Sequence, residues 1–129
     1  MRDDIDTIVS KLHVWVDDPM IDCVITTGGI GVTGRDVTPE AIERVQDKAI
    51  PGFGELFRWL GDAKIGTSTV QSRATACVAR GTYIFALPGA SGAVKDGILA
   101  TQLDSRHRPC NFVELMPRLR EHRIEPPDA

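Results

Sequence analysis

The chain has 129 residues, of which 42% are hydrophobic and 26% charged, the size and balance of one compact globular domain. Its 15 basic and 18 acidic residues leave a formal net charge of -3, which gives no electrostatic footprint for wrapping a duplex and argues against nucleic acid as a partner. No apolar run is long enough for a bilayer crossing, and the acidic start Met1-Arg2-Asp3-Asp4 has no signal-peptide core behind it, so a cytoplasmic protein with no membrane partner is expected.

In chain order, Ile5, Ile8, Val9, Leu12, Trp15 and Val16 recur at steps of three and four and predict a helix, capped by Asp3 or Asp4 and stopped by Pro19. Cys23-Val24-Ile25-Thr26-Thr27 reads as a buried parallel strand. The loop Gly28-Gly29-Ile30-Gly31-Val32-Thr33-Gly34 follows and leads through Arg35-Asp36 to Thr38-Pro39-Glu40, where a hydroxyl cap and a proline open a second helix. Phe53, Leu56, Phe57 and Leu60 mark a third helix after Pro51-Gly52, and Val70, Ala74, Cys77 and Val78 mark a fourth that closes at Arg80-Gly81. Thr82 to Leu87 is a second strand, running into the turn Pro88-Gly89-Ala90-Ser91-Gly92 before a further helix near Ala93. The tail 121–129 is polar, leaving residues 1–120 as the domain.

Alternating strands and helices predict an α/β fold with a mainly parallel sheet, whose ligands bind beyond the carboxyl ends of the strands. Both glycine-bearing loops sit at that end. A strand, a glycine-rich turn and a helix start offer free backbone N–H groups and a positive dipole end to an anion, phosphate being the natural guest. The same glycines can equally form only a tight turn, and they fit neither the Walker pattern nor GxGxxG. Asp36 at the loop exit would repel phosphate unless a divalent cation such as Mg²⁺ lay between them. Its alternative role is a second cap for the Thr38-Pro39 helix.

Cys23, Cys77 and Cys110 have neither paired spacing nor a nearby partner among His13, His107 and His122, which argues against a disulfide framework or structural zinc. Cys23 and Cys77 read as small buried hydrophobes, the first in a strand and the second on a helix face. With no nucleophile and base that can be paired, any catalysis would proceed by positioning and charge stabilisation, as in phosphoryl or nucleotidyl transfer.

The run Ile25 to Ala41 closely resembles the signature of the molybdopterin-binding family of molybdenum cofactor biosynthesis proteins. Three further blocks keep the family's order: Pro51-Gly52-Phe53-Gly54-Glu55, Gly66 to Ala74, and Phe85-Ala86-Leu87-Pro88-Gly89. Leu103 to Phe112 is similar to the ending of the family's B-type branch, and the likeness runs from Arg2 to Phe112. It implies a three-layer α/β/α domain that binds molybdopterin and activates it with Mg²⁺ and ATP, AMP being transferred to the pterin's terminal phosphate before molybdate insertion. By position it implies Asp36 in catalysis and metal handling, Asp3 as an upstream catalytic aspartate, and Ser72 in contact with the pterin. Thr27, Gly28, Gly29, Gly31, Thr33, Glu55, Ser68, Pro88 and Gly89 would bind substrate. It also implies a homo-oligomer, trimer or hexamer, and other proteins of the same pathway as partners.

Three departures from the pattern bear on function. The family has a strand, loop and helix ahead of the position of Asp3, roughly 40 residues or one βα unit, so the sheet here is expected to lack a strand and to leave an edge open. Ala90-Ser91-Gly92 stands where the adenylyltransferases carry a lysine, which Lys95 would have to replace, and Gly61 stands in place of a serine. A non-catalytic molybdopterin-binding or carrier module is therefore the alternative to an adenylyltransferase. Phe53, Phe57 and Trp59 cannot all be buried by one narrow stripe, and a subunit interface would absorb Trp59.

Overall fold

In the computed structural model the described residues are 4–65 and 72–89. Asp3, Ser68, Val70, Lys95, Cys110, the helix expected near Ala93, the block Leu103 to Phe112 and the tail 121–129 lie outside them.

Helix α1 spans Ile5–Asp17. The Asp4 carboxylate caps it, accepting the Asp6 N–H at 3.3 Å and the Thr7 hydroxyl at 2.8 Å, which satisfies donors the first turn would otherwise leave open. Ile8, Leu12 and Val16, one turn apart, are buried, and Ile5, Val9 and Trp15 pack beside them, so the apolar stripe meets the core as its period predicts. Strand β1, Cys23–Thr27, follows, then helix α2, Thr38–Val45, the short β2, Lys48–Ala49, and helix α3, Pro51–Ile65. Strands β3, Thr75–Ala79, and β4, Thr82–Leu87, form a hairpin.

The sheet order is β1-β4-β3-β2. β1 runs parallel to β4, whereas β3 is antiparallel to both β4 and β2. The sheet is thus mixed where a mainly parallel one was expected, because the segment read as a fourth helix is β3. Ala74, Cys77 and Val78 imitate a helical stripe only because an interior strand is apolar on both faces. Ala76, Cys77 and Ala79 are buried together, and a strand covered on both sides loses its alternation. Cys77 is buried as expected, but in a strand. The Arg80-Gly81 turn is real and closes the hairpin, with Arg80 at φ 50° and Gly81 at φ 79°; the Asp47 carboxylate accepts the Arg80 N–H at 2.6 Å.

All six residues of β4 are buried. Phe85 is the hub on the face that α3 covers, its ring 5.1 Å from Phe53 and 5.6 Å from Tyr83, and each such buried ring contributes about 1.5–3 kcal/mol. β1 was read as buried, yet among the described residues it has β4 as its one neighbour, and Ile25 is 45% exposed. Phe53 and Phe57 are buried while Trp59 is exposed, as one narrow stripe requires.

Strand direction decides what the ends of the sheet carry. Thr27 pairs with Leu87 and Thr75 with Ala86, while Ala49 pairs with Cys77. The exits of β1, β4 and β2 and the entrance of β3 therefore share one end. Four stretches far apart in sequence meet there: the loop after Thr27, Pro88-Gly89, Pro51 to Glu55, and Ser72 to Ala74.

Candidate functional site

The loop after β1 is tied down at both ends. The Gly28 N–H donates to the Leu87 carbonyl at 2.8 Å, binding the exits of β1 and β4 together, and the Thr38 N–H donates to the Gly29 carbonyl at 3.1 Å. Thr38 does not cap α2 as expected. Val37 occupies the cap position without a side-chain hydrogen bond, and the Thr38 hydroxyl, one residue inside the helix, donates to the Gly28 carbonyl at 3.3 Å. Asp36 is no cap either. Gly29, at φ +71°, lies so close to the Thr38 hydroxyl that a Cβ there would collide with it, so both conformation and space demand glycine.

Asp36 folds back into the loop. Its Oδ2 accepts the Thr33 N–H at 3.1 Å and the Thr33 hydroxyl at 2.7 Å. A Cβ on Gly31 would lie 2.7 Å from that same oxygen, so a bare residue is needed for the close approach. The Thr33 hydroxyl and then the Thr33 amide hold the Asp36 carboxyl below the usual carboxylate range, opposed by partial burial and helped by Gly31 and Arg73. Of the two roles open to this loop, an anion cradle or a tight turn, the Thr33 amide takes a local one: it donates to the protein's own carboxylate. A short loop that brings an aspartate back over its own N–H group satisfies it internally.

Arg73, two residues ahead of β3, joins the loop to the sheet. Its Nε donates to the Gly31 carbonyl and its Nη2 to the Asp36 carbonyl, each at 2.6 Å. Its Nη1 reaches both Glu40 oxygens, at 2.6 and 3.0 Å. Its backbone N–H donates to the Ile30 carbonyl at 3.0 Å. The sequence reading did not single out Arg73. The available signal was a cation set immediately before an apolar interior strand, a place where a charge requires partners.

Two cavities open beside this arrangement. The smaller, about 340 Å³, is lined by Thr33, Asp36, Glu40 and Arg73 among others. The larger, about 530 Å³, lies between α2 and α3 and includes Glu55, Arg58, Ser72 and Arg73 in its lining. Arg58 donates to the carbonyls of Ser72 and Ala74 at 3.3 and 3.2 Å, and the Ser72 hydroxyl accepts the Ala74 N–H at 3.4 Å. Of the residues expected in a site, Asp36 and Thr33 thus border one cavity and Glu55 and Ser72 the other, with Arg73 common to both. Gly28, Gly29 and Gly31 shape the loop, Thr27 ends β1 exposed, and Pro88-Gly89 follows β4 at the same end of the sheet. Among the described residues no three His, Cys, Asp or Glu side chains converge as a metal cluster, and no helix is long and apolar enough to cross a membrane. One carboxylate still fits Mg²⁺, an ion commonly held by one or two carboxylates together with substrate phosphates.

A family model described as "Probable molybdopterin binding domain" matches residues 1–104. The chain belongs to this family. Over 108 residues it is 46% identical to molybdenum cofactor biosynthesis protein B of Escherichia coli (strain K12), a match covering 81% of this chain and 64% of that protein. The chain therefore spans slightly under two thirds of that relative's length. Among solved structures it is similar to the tungsten cofactor synthesizing protein MoaB from Pyrococcus furiosus, with TM-score 0.73 and 34% identity, covering 92% of this chain and 71% of that one. It is also similar to the molybdopterin biosynthesis Mog protein from Mycobacterium ulcerans, with TM-score 0.72 and 34% identity, covering 88% and 69%. The α/β fold is that of the molybdopterin-binding domain.

Proposed function

We propose that this member of the molybdopterin-binding family acts in molybdenum cofactor biosynthesis, binding molybdopterin and activating it by Mg²⁺- and ATP-dependent adenylylation. The reading is carried by one observation: an ionised carboxylate, Asp36, held by Thr33 at the edge of a cavity that the glycine-rich loop shares with Glu40 and Arg73. Hydrogen bonds from Thr33 keep it charged and oriented, as a ligand for a hard cation must be. Bound there, Mg²⁺ would supply charge neutralisation for the nucleotide phosphates. In the reaction an oxygen of the pterin's terminal phosphate attacks the α-phosphorus of ATP, and the bond from that phosphorus to the β-bridging oxygen breaks, releasing pyrophosphate. The chain's contribution is positioning. Asp36 and the Thr33 hydroxyl face the nucleotide, while Ser72 and Glu55 in the larger cavity offer polar groups to the pterin.

The test is incubation of the protein with molybdopterin, ATP and Mg²⁺, with pyrophosphate measured. Release well above a blank is expected, falling on the order of 100-fold or more in Asp36→Asn. A second reading, a carrier that holds molybdopterin without transferring AMP, is favoured by the occupied amide of Thr33, which leaves one donor fewer for a phosphate. Tight molybdopterin binding with no pyrophosphate, equal in wild type and Asp36→Asn, would establish the carrier and remove the transferase.

A further inference from the structure

We propose that Arg73 is the positioning residue of this site, holding the glycine-rich loop in the curl that presents Asp36. Three edges of one planar guanidinium are used at once, on the Gly31 carbonyl, the Asp36 carbonyl and the Glu40 carboxylate, and the same residue's backbone N–H holds Ile30. These contacts bracket the stretch that carries Val32, Thr33, Gly34 and Arg35, all of them exposed. Among the described residues that stretch has no apolar packing of its own: Ile30 is buried before it, and Val37 is packed on the core after it. The curl is therefore set by polar contacts, and Arg73 supplies those that reach from outside the loop. Its base is firm, because β3 lies between β4 and β2 and directly follows Ala74. A rigid fork anchored just ahead of an interior strand fixes the spacing of Gly31 and Asp36, and hence the cradle of Oδ2.

Lysine cannot take this place. An ammonium is a point charge on a flexible stem and cannot satisfy three acceptors lying around a plane. For turnover, the role of Arg73 rests on the adenylylation reading; for loop shape it does not.

The experiment is residue-resolved amide hydrogen exchange on the full chain, for wild type, Arg73→Ala and Arg73→Lys, run beside the pyrophosphate assay. Amides of residues 29–37 are expected to exchange at least tenfold faster in both variants, with β1 and β4 amides within about twofold of wild type. Turnover is expected to fall with kcat while molybdopterin affinity changes little. Should Arg73→Ala unfold as a whole, Arg73→Lys, which retains the charge and the backbone N–H, decides alone. Loop exchange equal to wild type in Arg73→Lys, or acceleration spread evenly over the whole sheet, would overturn the assignment. A loosened loop in a chain whose wild type releases no pyrophosphate would remove the transferase reading and leave the positioning role of Arg73 supported. Pyrophosphate from wild type with loop exchange unaltered in Arg73→Lys would do the reverse.

Discussion

Thr33 and Asp36 show how much one hydroxyl can set. Its hydrogen bond is the largest cause of the lowered Asp36 pKa, and Thr33→Val removes it while keeping shape and the amide donor. The Asp36 midpoint, followed through its carboxyl carbon by NMR, is expected to rise toward the ordinary carboxylate range. Because the native pKa is depressed, the stability this group contributes is present above the unfolded value and disappears as the pH falls through the native one; Thr33→Val narrows that window. The position of Asp36 at the exit of the glycine-rich loop was legible from residue types and order alone. The direction of its carboxylate was not, since that follows from the backbone curl of Gly31 to Thr33, which Arg73 imposes from 37 residues further along. Long-range hydrogen bonds leave no periodicity to read.

At the level of single elements, legibility followed amphipathicity. α1 faces solvent on one side, so its stripe, cap and stop could all be placed, and Ile8, Leu12 and Val16 are buried accordingly. β3 is covered on both sides, and a run of small apolar residues there carries no period that distinguishes strand from helix. The error mattered, because a helix at this position leaves the sheet parallel and sends Ser72-Arg73 elsewhere. Burial in β3 has a chemical readout. It pushes the Cys77 thiol up to about 12, with Asp47 adding to the shift, and the Cys23 thiol in β1 up to about 11. Both cysteines are expected to resist iodoacetamide at pH 8 in the native chain and to react on denaturation, as mass spectrometry would record. The stability linked to Cys77 is present below its unfolded value and is lost as the pH rises toward 12, so the melting temperature should decline through that alkaline range.

For the whole molecule, the hub of rings formed by Phe53, Tyr83 and Phe85 joins α3 to the strand that every other part of the sheet reaches through β1 or β3. Phe85→Ala removes that junction and is expected to cost about 3–5 kcal/mol, measured by urea unfolding. A value below 1 kcal/mol would mean that the ring is not the centre of the core. The hairpin reversal at Arg80-Gly81 has a consequence for experiment and for divergence. Since β3 and β4 turn at the far pole from the loops, the hairpin cap stands apart from the face that carries the candidate site. Fluorophores anchored at that cap would watch unfolding without obstructing the cleft. Sequence drift should accumulate there, in the pairs that hold Arg80 to Asp17 and Asp47, long before it is tolerated at the opposite pole.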